Sequence, residues 1–127
     1  MIILDKAHFP RDKVCTGWIT PAIVQSLKLD PIDYASSRVW QPFTQFKTGL
    51  IGRTPTLTDY GTPVSFGIRR CEFDDYLLNR CGARLHLGEA FQSMKSVADG
   101  WVVNDRYHAK LVVGAGGHFC PVARQLA

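Results

Sequence analysis

The chain begins with an apolar run that ends in an acid, Ile2-Ile3-Leu4-Asp5. Directly after it comes Phe9-Pro10-Arg11-Asp12-Lys13-Val14-Cys15-Thr16-Gly17, with no glycine-rich turn before either segment. A short strand ending in an acid suits the second strand of a dinucleotide-binding sheet, where the carboxylate accepts hydrogen bonds from both hydroxyls of an adenosine ribose. In that arrangement the first strand and its phosphate-binding turn lie upstream of Met1. The reading therefore supplies the ribose end of such a site without the amides and helix dipole that hold a pyrophosphate.

At 127 residues the chain makes one domain at most, long enough to bury a core of its own. An apolar share of 46% is that of a globular chain and argues against disorder. The net charge of +4 comes from 15 basic and 11 acidic residues that are scattered singly. No basic stretch alternates with aromatics, so no nucleic-acid partner is expected. The apolar start is too short for a signal peptide and no later stretch is long enough to span a bilayer, so a soluble, cytoplasmic chain without a transmembrane segment is expected. Cys15, Cys71, Cys81 and Cys120 form no C-x-x-C pair. Reduced thiols are expected, with neither a disulfide nor a zinc site.

Thr20-Pro21 reads as a helix start, with Ile23, Val24 and Leu27 as the buried face and Asp30-Pro31 as the stop. Alternation from Arg38 to Lys47 predicts one extended strand, and glycines 49 and 52 with prolines 55 and 63 mark loops or short strands. Ser65 to Ile68 predicts a strand that runs into Arg69-Arg70 and a helix carrying Phe73, Leu77, Leu78 and Cys81. Acids occupy its first turns, Arg80 its last, and Gly82 caps it. Ala83, Leu85 and Leu87 alternate with Arg84 and His86, as a half-buried strand requires. Asp99-Gly100 predicts a hairpin between Met94–Val97 and Trp101–Val103 and hence a small meander. Leu111-Val112-Val113 reads as a strand covered on both faces, ended by Gly114-Ala115-Gly116-Gly117.

Several residues are candidates for chemistry. Gly114, Gly116 and Gly117 either let a ligand approach the backbone at a strand end or simply make a tight turn; Phe119 stands where the dinucleotide fingerprint needs a third glycine. Arg11 and Lys13 suit phosphate or carboxylate groups and would favour a thiolate at Cys15, or else belong to a solvated loop beside a small thiol. No base accompanies Cys15, which leaves thiol catalysis without a second member. His8, His86, His108 and His118 have no metal-ligand spacing, and Asp74-Asp75 point about 100° apart on a helix, which suits dipole partners better than an acid–base pair. Trp18, Trp40 and Trp101 fall on separate elements, as core or wall residues.

The ordered set of Asp5, FPRDKVCTG, GIRRCEFDDYLL, ARLHLG and LVVGAGGHFCPVAR resembles the FAD-dependent oxidoreductases of the geranylgeranyl reductase type, relatives of the aromatic-hydroxylase flavoproteins. The resemblance covers nearly the whole chain and is weakest from Tyr34 to Tyr60. It implies that Asp5 binds the adenosine ribose. It also implies that Pro10, Arg11, Lys13, Cys15 and Gly17 run beside the flavin, with Thr16 in place of a glycine. Arg70 would lie close to the cofactor, with Phe73, Asp74 and Leu77 holding its helix. Gly114, Ala115, Gly117 and Arg124 match a last motif in which Gly116 replaces an aspartate and Cys120 stands near a usual serine.

The implied fold is α/β: an incomplete Rossmann-like FAD-binding fold with an inserted β-meander and part of a substrate-domain sheet. Residues 1–127 would form a single partial domain, with 34–68 the start of the substrate-binding sheet. The implied activity is that of a fragment of an FAD-dependent oxidoreductase, reductase or monooxygenase in type, acting on a hydrophobic small molecule such as an isoprenoid. The chain alone is expected to bind FAD weakly and to be inactive, because the pyrophosphate turn and a later G-D motif are missing. Unpaired strand edges would favour self-association or a partner chain. The alternative is a non-catalytic interaction module or a split flavoprotein subunit that a partner completes.

Overall fold

A computed structural model describes residues 1–126. In chain order, β1 (Ile2–Asp5) is followed by β2 (Trp18–Ile19), α1 (Pro21–Ser26), α2 (Pro31–Ala35), β3 (Trp40–Phe43) and β4 (Gln45–Thr48). Then come β5 (Thr56–Asp59), β6 (Ser65–Ile68), α3 (Arg70–Arg80), β7 (Arg84–Leu87), β8 (Met94–Val97), β9 (Gly100–Val103) and β10 (Tyr107–Ala109). A single turn of tighter helix at Gly117–Phe119 leads into α4 (Pro121–Leu126). The fold is mixed α and β, with several small sheets and few helices. Two compact units divide it: Met1–His8 with the residues from Gly82 onward, and Phe9–Cys81.

In the Phe9–Cys81 unit, β6 is the central strand of an antiparallel sheet ordered β2-β6-β3, while β4 and β5 form a separate ribbon. The sequence pattern from Arg38 to Lys47 predicts one strand. The chain instead changes partner at Thr44, β3 pairing with β6 and β4 with β5. Pro42 is tolerated because β3 is an edge strand. The core is Leu29, Tyr34, Ile68 and Phe73, with Val24, Trp40, Tyr76 and Leu77 packed against it. Tyr34 is fully buried and meets Trp40, Phe73 and Tyr76 edge-on at centroid separations of 5.6, 5.9 and 5.0 Å. Such geometry sets ring edges against ring faces and adds to the burial of the rings.

Two expectations about the first helices are corrected. α1 is only six residues long and the Thr20 side chain makes no capping bond; Ile23 and Leu27 stay exposed, and Val24 alone reaches the core. Lys28 ends that helix in the left-handed region at φ 48°, which turns Leu29 inward. Asp30 then starts a helix: its Oδ1 accepts from the amides of Ile32 and Asp33 at 2.9 and 3.2 Å, and Pro31 fills the first helical position. α3 follows the prediction, with Phe73 buried, Arg80 in the last turn and Gly82 beyond it at φ +67°.

In the other unit, β1 and β7 form a two-stranded parallel sheet, with Asp5 opposite Leu87. The predicted meander is present as β8-β9-β10. Its first turn lies one residue earlier than predicted, at Ala98-Asp99, because Gly100 already pairs with Val97. The positive backbone angles expected there occur in the next turn, at Asn104 (φ 50°) and Asp105 (φ 51°). Asn104 secures that turn: its Oδ1 accepts from the Gln92 amide at 2.8 Å and its side-chain amide donates to the Ala90 carbonyl at 2.9 Å.

Leu111 to Val113 is not a strand. Val112 packs on the cluster of Met94, Val103, Cys120 and Val122, whereas Leu111 and Val113 are about three-quarters exposed, at 76% and 75%. A strand covered on both faces needs a neighbour to bond with its backbone. Among the described residues none pairs with this segment, and β1 pairs with β7 alone. No described helix is long and apolar enough to cross a membrane.

Candidate functional site

The loop from Phe9 to Gly17 returns its last residues to the sheet through Gly17, the point on which the site depends. The Gly17 carbonyl accepts from the Ile68 amide at 2.7 Å, and its φ is +69°. A Cβ at this position would stand 2.2 Å from the Ile68 carbonyl oxygen, so the backbone itself excludes any other residue. Ile68 ends β6, and two residues later α3 begins with Arg70. Residues far apart in sequence thereby meet at the end of one strand.

What meets there is Cys15, Gly17 and Arg70. The Cys15 sulfur accepts from the Gly17 amide at 3.4 Å and from Arg70 Nη1 at 3.7 Å. Arg70 is held by Asp74, one helical turn on, through a hydrogen-bonded ion pair from Nε to Oδ1. Cys15 is exposed and its thiol is held below the ordinary range, first by the Gly17 amide and then by Arg70. The Arg70 guanidinium is pushed up, chiefly by its bond to Asp74. The result is an exposed sulfur whose thiolate is stabilised by a fixed N–H and a guanidinium. Both donors are spent on the sulfur, which leaves Arg70 Nη2 without a partner among the described residues.

The other candidate residues divide between the two units. Arg11 lies over the Phe9 ring at 4.9 Å and Lys13 is exposed on the same loop. Asp5, at the end of β1, accepts from the Ala7 amide at 2.9 Å through one carboxylate oxygen. Gly114 lies against Cys120 and Val122, where a Cβ would stand 2.9 Å from the Cys120 sulfur; Gly117 has φ +75° and open space where a Cβ would be. Cys120 is buried, and the backbone amides of Ala123, Gly116 and Val122 hold its thiol below the ordinary range against the opposing effect of burial.

Sequence reasoning missed two arrangements. Asp74 reads from sequence as a helix-dipole partner, yet it orients Arg70; the signal was the spacing of four between them. The second is a cluster in the other unit, where the Tyr107 hydroxyl donates to Glu89 Oε2 at 2.6 Å and lies 2.9 Å from His86 Nδ1. His86 Nε2 is buried without a partner among the described residues. No spacing rule links a strand histidine, a loop acid and a tyrosine of the meander, so nothing in the sequence pointed to it. No protein-family model matches the chain, and no curated protein matches it.

Proposed function

We propose that the chain carries the ring-side wall of a flavin site in an FAD-dependent oxidoreductase of the geranylgeranyl reductase type. The observation that carries this reading is the meeting of Cys15, Gly17 and Arg70 at the end of β6. These residues come from two separate motifs of the resemblance and are joined by the pairing of β2 with β6. The Gly17 amide and Arg70 Nη1 are spent on the sulfur, but Arg70 Nη2 has no partner among the described residues and would donate to the electron-rich edge of an isoalloxazine ring lying beside Cys15. Arg11 and Lys13, in the same unit, would add positive charge, while the roles of Asp5 at the adenosine ribose and of Gly114 and Gly117 near the cofactor rest on the resemblance alone. The bound flavin would supply the transfer of hydride equivalents to or from a hydrophobic substrate, an isoprenoid among the candidates.

The pyrophosphate is the part left uncovered. Among the described residues no strand leads through a glycine-rich turn into a helix of useful length, so the most charged part of FAD gains no dedicated amides. FAD binding by the chain alone is therefore weak. A titration of FAD followed by flavin fluorescence tests the reading: binding that is shallow, and weaker still in Arg70→Gln, agrees with it. Indifference of the binding curve to Arg70→Gln would contradict it.

A second reading is favoured by the open edge of β1. Leu4 of β1 and Val112 pack on the same cluster, while Leu111 and Val113 leave apolar side chains in water. An apolar strand with an unpaired edge recruits another strand, which points to a partner chain or a second copy completing the sheet. Sedimentation over a range of concentrations tests this: association that Leu111→Lys and Val113→Lys suppress supports it, and a monomer at every concentration opposes it.

A further inference from the structure

We propose that the groove between β2 and the start of β4 binds a fused-ring aromatic molecule carrying an anionic group. The groove has a volume of about 380 Å³, and Trp18, Phe43, Phe46 and Lys47 are among its walls. Its aromatic surface is left open by the sheet. Trp18 stands opposite Gly67 in register, so the central strand offers it no side chain, and the indole remains 57% exposed. Phe43 lies over Gly67 from the other side: a Cβ there would meet its ring at 3.1 and 3.2 Å. Phe46 meets Trp18 at a centroid distance of 5.9 Å with the rings tilted by 54°. Ring faces and edges are thus presented to the groove at differing angles, which suits a flat, rigid guest.

Size and charge define the guest further. An apolar cavity of about 150 Å³ holds benzene, so this groove has room for two or three fused rings. Among the described residues Lys47 forms no ion pair, whereas the neighbouring Gln45 amide is taken by Asp59 at 2.6 Å and Asp59 also accepts from the Gly61 amide. Lys47 is the charged residue among the groove's walls, which favours a carboxylate or sulfonate on the guest. The groove shares Gly17 with the Cys15 site, but the inference rests on the aromatic walls and Lys47 and stands without the flavin reading.

Calorimetric titration with naphthoate and with its neutral counterpart naphthylmethanol tests the inference on the wild-type chain and on Lys47→Gln, an exposed strand position whose change leaves the fold intact. Saturable binding of naphthoate is expected at a single site, about threefold weaker in Lys47→Gln, as an exposed charge pair warrants. Naphthylmethanol is expected to bind both chains alike. Trp18→Ala should weaken both ligands, and its circular dichroism checks that it folds. Absence of saturable naphthoate binding to the wild-type chain, or a Lys47→Gln chain that binds naphthoate undiminished, would overturn the inference. Either result leaves the FAD titration with Arg70→Gln untouched, so the two readings fail separately.

Discussion

Arg70 donates to the sulfur of Cys15 at 3.7 Å, although 55 residues separate them in the chain. Asp74 holds the guanidinium through Nε while Nη1 donates to the sulfur. With the Gly17 amide as the larger influence and Arg70 as the second, the Cys15 thiol titrates below an ordinary cysteine. Alkylation by iodoacetamide, resolved by peptide mass spectrometry, should therefore be fastest at Cys15 near neutral pH. Its rate should fall only as the pH drops through the lowered value. Arg70→Gln should slow it several-fold near neutrality by moving the titration up, while exposed Cys81 serves as the internal reference.

Gly17→Ala tests the backbone that carries the site. The new Cβ meets the Ile68 carbonyl oxygen at 2.2 Å in a conformation with φ +69°, so both strain and overpacking apply. A loss of about 2–4 kcal/mol is expected in urea unfolding. The same variant should lose the enhanced reactivity of Cys15, because the Gly17 amide is displaced with the loop.

Much of this was legible in the sequence, for reasons that differ from element to element. Ile2–Asp5, Ser65–Ile68, α3 and the meander follow from local pattern: alternation, a glycine stop and acids in a first turn are properties of short windows. Leu111–Val113 was misread because three apolar residues say nothing about whether a strand lies beside them. The split at Thr44 depended on strand partners that a window centred on it does not contain, whereas Asp30-Pro31 carries the same local start signal as Thr20-Pro21 and reads equally as a stop or a cap. At the site, Cys15, Gly17 and Arg70 were each named from sequence. Their meeting is a tertiary fact made by the Gly17–Ile68 hydrogen bond.

Tyr34 separates shape from polarity in the core. Its ring is fully buried, its hydroxyl has no partner among the described residues, and burial pushes its pKa up to about 12. Tyr34→Phe removes only the unpaired hydroxyl and should leave stability unchanged or raise it by up to about 1 kcal/mol. Tyr34→Ala leaves a ring-sized hole among Trp40, Phe73 and Tyr76 and should cost about 3–5 kcal/mol. Urea unfolding of the two variants side by side checks the contrast.

The Tyr107–Glu89 bond makes stability depend on pH at both ends. Glu89 is held below the usual carboxylate range, chiefly by the Tyr107 hydroxyl, so its contribution is complete above that range and is lost as the pH falls through the lowered value. Tyr107 is raised, chiefly by Glu89, so its contribution is complete below the ordinary tyrosine range and is lost as the pH rises through the raised value. Tyr107→Phe should lower the melting temperature at neutral pH and flatten both limbs of its pH profile. A profile parallel to that of the wild type would show that the bond contributes nothing.

Amide correlation spectra of the isotope-labelled chain during addition of FAD to millimolar levels register weak binding residue by residue and so test whether Cys15, Gly17 and Arg70 face a flavin. The expected result is a progressive, saturable shift of the Cys15, Gly17 and Arg70 signals, reduced in Arg70→Gln. Signals of these three residues that stay in place throughout the titration would contradict the account.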